Sequence, residues 1–103
     1  DPWLYLAFMV KGTALRQLGR HDEAIAHGRK ACQFPGVPYL PYMTLAASLA
    51  EAGQSSEAGA AVEKATRLQP ALSISYIRRS FVGANEVYLN SLFDGLRKAG
   101  VPE

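Results

Sequence analysis

The sequence has little cysteine and little tryptophan, with one residue of each in 103 positions. A lone thiol cannot close an intrachain disulfide, so the chain is not a small scaffold held together by bridges. Cys32 stands between Ala31 and Gln33 in a helical stretch, which predicts a small packing residue. An unbridged cysteine also fits a reducing compartment, and we expect a cytoplasmic protein.

Charge of one sign and long apolar runs are also scarce. Eleven basic and nine acidic residues are interspersed and give a formal net charge of +2. No basic stripe could follow a phosphate backbone, so we do not expect nucleic acid as a partner. Apolar segments such as Trp3 to Val10 fall short of the roughly 20 residues that a membrane span needs, so no membrane association is expected.

Reactive side chains are present but are not spaced for chemistry. His21 and His27 fall on different faces of a helix, and no Cys or carboxylate completes a metal set with them. No serine occupies a Gly-x-Ser-x-Gly turn, and no glycine cluster could cradle a phosphate. The pair Arg78 and Arg79 is expected to be solvated. We therefore predict no catalytic residue, no metal and no cofactor.

What the sequence does contain is an internal repeat. Hydrophobic residues make up 49% and charged residues 19%, which is typical of one folded domain. The chain matches itself at the spacing that separates Leu15 from Leu49 and Gly19 from Gly53. The same spacing pairs Glu23 with Glu57, Ala24 with Ala58, and Ala31 with Ala65. An offset of 34 residues indicates helix-turn-helix units.

Each unit is predicted to turn at its glycine and to begin its second helix soon afterwards. Gly19 and Gly53 can adopt the left-handed conformation that ends a helix. Asp22, and Ser55 or Ser56, are the expected caps of the following helices. Small residues should meet where the paired helices approach, at Gly12 with Ala24 and at Ala46 with Ala58. The larger core residues expected are Phe8, Leu15, Leu18, Tyr42, Leu45, Leu49 and Val62.

These residues resemble the tetratricopeptide repeat family. With Tyr5 and Tyr39 as first positions, the family's large, small and alanine positions fall on Phe8, Gly12, Ala24 and Ala31 and on Tyr42, Ala46, Ala58 and Ala65. The resemblance implies an all-α superhelix with repeats at about 2–36 and 37–70. The linker between them is rich in proline, and the helix after it should start between Pro38 and Pro41.

The C-terminal third, about 71–103, departs from the repeat and is expected to cap it. Residues 71–81 predict a short helix or helical turn that is broken at Gly83, and Asn85 can cap a final helix. The final helix has apolar residues at helical spacing, namely Tyr88, Leu89, Leu92, Phe93 and Leu96. Residues 92–103 resemble the tail of bacterial proteins in which these repeats follow an adenylate or guanylate cyclase domain, or sometimes a DNA-binding regulator domain. Since the chain begins at Asp1-Pro2, we expect the C-terminal part of a longer protein.

The resemblance also implies a binding groove on the first helix of each unit. Its positions fall on Leu6, Met9, Thr13, Arg16 and Gln17, and then on Leu40, Met43, Ala47, Ala50 and Glu51. The methionines share one repeat position and could receive an apolar peptide or helix. The alternative is that these residues pack against a preceding repeat or against the C-terminal helix.

The function expected from the sequence is a scaffold that binds a protein or peptide. It would be the C-terminal part of a bacterial signalling protein such as a cyclase. The alternative is a self-associating or regulatory segment of a transcriptional regulator that carries the same repeats, and a homo-oligomer is expected if the apolar ends stack.

Overall fold

A computed structural model describes residues 3–103, so the predicted start of the first repeat at Pro2 lies outside the described residues. Within that range the chain forms six α-helices and no strand. The helices are α1 (Leu4–Gln17), α2 (His21–Gln33), α3 (Tyr39–Glu51), α4 (Ser55–Leu68), α5 (Ile74–Ser80) and α6 (Glu86–Lys98). The predicted all-α class is confirmed.

The first four helices form two hairpins, α1 with α2 and α3 with α4. Each hairpin turns at a glycine with positive φ, +77° at Gly19 and +80° at Gly53. The Arg20 amide donates to the Leu15 carbonyl at 2.9 Å, and the Gln54 amide donates in the same way to residue 49 at 2.9 Å. This bond satisfies a carbonyl that the helix end leaves without an intrahelical partner. The two predicted glycine turns are confirmed.

The predicted helix caps after these turns are wrong. The N-cap positions are Arg20 and Gln54, and neither side chain accepts a capping hydrogen bond. Asp22, Ser55 and Ser56 already lie inside the helices. The helix begins only two residues after the glycine, so the N-cap position falls on Arg20 or Gln54, and neither is one of the short polar residues that cap helices well.

Small residues bring the paired helices together as the sequence predicts. A methyl group placed on Gly12 would lie 3.2 Å from the Ala24 carbonyl oxygen, so the two backbones are nearly in contact. Ala46 and Ala58 are both fully buried in one cluster. Leu18, predicted as a core residue, is 71% exposed, because it caps the end of α1 where the chain already turns away.

The two hairpins pack through α2 and α3. A methyl group on Gly28 would lie 3.1 Å from Leu45 Cδ1, so α3 approaches α2 closely at that glycine. Helix α3 begins at Tyr39, within the predicted window between Pro38 and Pro41. The prolines end up outside the helix or in its first turn, where a missing amide hydrogen costs little.

The C-terminal helices close the structure over α3. Gly83 has a φ of +89° and separates α5 from α6, and Asn85 Oδ1 accepts a hydrogen bond from the Tyr88 amide at 3.0 Å, as predicted. Helix α6 lies along α3. The core residues it contributes are Leu89, Leu92, Phe93 and Leu96, which join Met43, Ala47, Ala65, Leu72, Ile74, Ile77 and Val101.

The last three residues fold back onto α5. Val101 is buried in the core formed by α3 and α6. The carbonyl groups of Pro102 and Glu103 accept hydrogen bonds from the amides of Ile74 and Ser75, both at 2.8 Å. These amides have no intrahelical partner, because they belong to the first turn of α5, so the tail satisfies them.

Candidate functional site

The residues predicted to line a groove have unequal exposure. On α1, Gln17 is exposed, whereas Arg16 is buried. On α3, Met43 and Ala47 are both completely buried. The remaining predicted groove residues are partly buried, namely Leu6, Met9, Thr13, Leu40, Ala50 and Glu51. The predicted surface therefore divides into an α1 half that reaches solvent and an α3 half that is mostly covered.

Helix α6 covers the α3 half. Met43 and Ala47 share one core cluster with Phe93. The approach is close because residue 95 is glycine, where a methyl group would lie 2.8 Å from the Ala47 Cβ atom. On this half, the alternative in which the residues pack against the C-terminal helix agrees with the contacts. Met43 consequently supports the core and is not available to a ligand.

Near the contact between α3 and α6, the side chain of Arg16 links the helices α1, α3 and α6. Arg16 Nη1 lies 2.6 Å from Glu51 Oε1 and donates to the Ser91 carbonyl oxygen at 3.4 Å. Arg16 is 4% exposed, and its Nη2 atom has no hydrogen-bond partner among the described residues. A buried guanidinium placed in this way holds α1, α3 and α6 in a fixed arrangement, because separating its partners would leave a charge in the interior.

A solvent-accessible hollow of about 740 Å³ remains between the C-terminal half of α1 and the start of α6. Its lining residues are Gln17, Asn85, Val87, Tyr88 and Ser91. Thr13 and Met9 lie one and two turns before Gln17, so they continue the same face of α1. Val87 is 79% exposed, so an apolar side chain open to solvent borders the concavity.

The lining of this hollow is apolar or neutral. Val87 and the ring of Tyr88 offer apolar surface, whereas Gln17 and Ser91 offer an amide and a hydroxyl group. Asn85 already uses its Oδ1 atom to cap α6. None of the five lining residues carries a formal charge at neutral pH, so the hollow presents neutral polar groups and apolar surface.

Sequence reasoning assigned the α1 part of this hollow and missed the α6 part. Tyr88 was assigned to the buried stripe of the capping helix, and Val87 was not singled out. The signal that could have found Val87 is an apolar residue on the side of an amphipathic helix opposite the buried stripe, where a polar residue is usual. The Ser91 carbonyl accepts a hydrogen bond from Arg16, and such a backbone contact cannot be identified from residue type.

Other reactive groups lie apart from the hollow. Burial raises the pKa of the Cys32 thiol to about 12, which disfavours the nucleophilic thiolate. Within residues 3–103 no three His, Cys, Asp or Glu side chains come close enough to share a metal ion. None of the helices described there has both the length and the apolar character to cross a membrane.

A second, smaller hollow of about 380 Å³ lies at the other end of the first hairpin. Phe8 and Phe34 form its wall with ring centroids 5.9 Å apart, and the Lys30 ammonium lies 5.4 Å from the Phe8 centroid. Leu4, Gln33 and Pro35 complete the lining. Within this hollow the lysine and the Phe8 ring form a cation–π contact.

Comparison with protein families, curated proteins and solved structures gives no match for this chain. Its function therefore has to be inferred from the geometry of its own residues.

Proposed function

We propose that this chain is a protein-binding module of the tetratricopeptide type, and that its binding surface is the hollow between α1 and α6. The observation that carries the proposal is the exposed Val87 beside an open concavity of about 740 Å³. Two hairpins with small residues at matched positions support the repeat assignment. Enclosed pockets suit small molecules, whereas an open hollow between two helices suits a segment of another protein.

The expected ligand is a short peptide segment with at least one apolar side chain. That side chain would cover Val87 and the ring of Tyr88, which removes apolar surface from water. Gln17 and Ser91 also line the hollow, and their amide and hydroxyl groups would hydrogen-bond peptide groups. Because the lining carries no charge, affinity should depend only weakly on ionic strength.

The proposal extends to a parent signalling chain, such as an adenylate or guanylate cyclase or a transcriptional regulator. This part rests on the resemblance of residues 92–103 alone. A module that holds a partner segment could regulate an attached domain by changing which segments are in contact. Deleting the module from such a parent should change its activity or its assembly, and an unchanged parent would remove this extension.

A pair of valines provides a matched test. Peptides selected from a displayed library of random short sequences are measured by fluorescence anisotropy against the wild type, Val87→Asp and Val82→Asp. Val82 is 87% exposed and is not among the lining residues of the hollow, and Val87 lies in the first turn of α6, where an acid favours the helix. Both variants should therefore fold.

The expected result is that Val87→Asp weakens binding at least about tenfold while Val82→Asp binds as the wild type does, because only the first places a charge under an apolar side chain. Peptides that bind all three proteins equally would rule out this hollow. A library that yields no binder dependent on Val87 would have the same consequence.

A further inference from the structure

The outward face of α1 is almost entirely apolar. The exposed positions on this helix and its two flanking residues are Trp3, Leu4, Ala7, Val10, Lys11, Ala14, Gln17 and Leu18. At 3.6 residues per turn they fall within one arc of about 140°. Lys11 is the one charged residue among them. A helix face turned to water normally carries several charges, so this face has the composition of a helix contact.

The second repeat unit shows what such a face contacts. The residues of α3 that correspond to Ala7, Val10, Lys11 and Ala14 are Pro41, Thr44, Leu45 and Ser48, and all four are buried. Helix α2 lies against this side of α3, with Gly28 in close approach to Leu45. In the second unit, the covered face of α3 is therefore covered by a helix, α2. By this equivalence, the exposed face of α1 corresponds to a surface that contacts a helix in the second unit.

The same face is complementary to itself. About a point midway between Val10 and Lys11, each exposed position has a counterpart at equal distance on the other side. The counterparts are Trp3 with Leu18, Leu4 with Gln17, Ala7 with Ala14, and Val10 with Lys11. In an antiparallel pair of α1 helices, large side chains would meet at the ends and alanines would meet between the ends and the centre. A two-fold interface requires this self-complementarity, and facing alanines let two helices approach closely.

We propose that two copies of this chain associate through antiparallel contact of their α1 helices. The aliphatic part of Lys11 covers Val10 of the second copy while the ammonium group reaches solvent. Trp3 and Leu18 are 67% and 71% exposed, and Val10 is 62% exposed. With the smaller neighbours, a pair would bury on the order of 1,000 Å², which is at the lower limit of specific interfaces and corresponds to a weak dimer.

This surface shares only Gln17 with the hollow between α1 and α6, so the dimer does not rest on the proposed function. The two Lys11 side chains repel each other near the two-fold axis, because they carry like charges. Added salt screens this repulsion, so sodium chloride should tighten the dimer, whereas it should leave peptide binding at the neutral hollow nearly unchanged. The salt responses therefore distinguish the two surfaces.

Sedimentation equilibrium of the wild type, Ala14→Glu and Ala26→Glu tests the dimer. Ala14 lies on the self-complementary face, whereas Ala26 is an exposed alanine of α2 outside it. The wild type should form a dimer that is populated at about 0.1–1 mM, since the interface is small. Ala14→Glu should weaken association at least about tenfold, because each dimer would bury two carboxylates. Ala26→Glu should associate as the wild type does.

Cross-linking tests the register. In a Cys32→Ala background, Ala7→Cys and Ala14→Cys chains are mixed and treated with a short bismaleimide. The antiparallel register predicts that mixed dimers form faster than dimers of either variant alone. A wild type that stays monomeric at every concentration would overturn the proposal, as would equal effects of Ala14→Glu and Ala26→Glu. Preferential linking of each variant to itself would overturn the antiparallel arrangement.

Discussion

Replacement of Gly95 by alanine should loosen the contact between α6 and α3. An added methyl group would lie 2.6 Å from Glu51 Oε1, 2.8 Å from the Ala47 Cβ atom and 3.3 Å from the Ala47 Cα atom. The glutamate oxygen could swing away only by giving up its bond to Arg16. The alanine atoms cannot move without moving the α3 backbone. Restoring ordinary carbon contacts requires the helices to separate by about 1 Å.

The magnitude follows from two opposing effects. Alanine is favoured over glycine in a helix interior by about 1 kcal/mol, whereas overpacking a close contact costs about 1–3 kcal/mol and sometimes more. Movement of α6 also removes contacts of Phe93, which is completely buried. The packing cost less the gain in helix propensity leaves an expected net loss of up to about 2 kcal/mol in the free energy of unfolding for Gly95→Ala.

Gly59→Ala in α4 is the matched control, because it makes the same chemical change with no heavy atom within 4 Å of the added methyl. It should raise the free energy of unfolding by about 0.5–1 kcal/mol. Urea unfolding followed by far-ultraviolet circular dichroism measures both variants, with equal slopes indicating an unchanged two-state transition. If Gly95→Ala were as stable as Gly59→Ala, α6 would not lie against α3 as described.

Three further predictions follow from buried groups. Arg16→Met should lower the free energy of unfolding by about 3 kcal/mol because it leaves the Glu51 charge unpaired, and adding Glu51→Leu should recover part of the loss; a double variant less stable than the single would contradict this. Burial raises the pKa of Cys32 from 9.0 to about 12, so its contribution to stability is present below pH 9 and is lost as pH rises towards 12. Alkylation at pH 8 should therefore be at least about a hundredfold slower in the native protein than in urea, and equal rates would refute the burial. Val101→Ala should cost about 1–2 kcal/mol in urea unfolding whereas the exposed Val82→Ala should cost less than about 0.5 kcal/mol, and equal effects would show that the tail is not packed.

Local features of the fold could be predicted from the sequence. Gly19 and Gly53 end their helices because glycine alone adopts positive φ without strain, a property of the residue itself. The small pair of Gly12 and Ala24 recurs at the repeat spacing, so its contact could be inferred before its geometry was known. Asn85 likewise caps α6 through a bond to a near neighbour in sequence.

The sequence offered packing against the C-terminal helix as one alternative but could not select it, because the choice depends on contacts between residues far apart in the chain. The apolar stripe of α6 indicated that this helix packs against another part of the fold without showing which part. In the structure, α6 packs against α3, and the lack of a side chain at Gly95 lets the two helices approach closely. That choice buries Met43 and pairs Arg16 with Glu51, so three residues expected to meet a ligand became structural. The methionines share a repeat position, yet only Met9 remains partly accessible.

The most direct test of this account is the nuclear Overhauser effect between the Gly95 α protons and the Ala47 methyl group in solution. The described packing of α6 on α3 predicts a strong cross-peak, comparable in intensity to those between Gly12 and the residues of α2 that it contacts. If both residues are assigned and the Gly12 contacts are seen, but no cross-peak joins Gly95 to Ala47, then α6 does not cover α3. The hollow between α1 and α6 would then not exist in the form proposed as the binding surface.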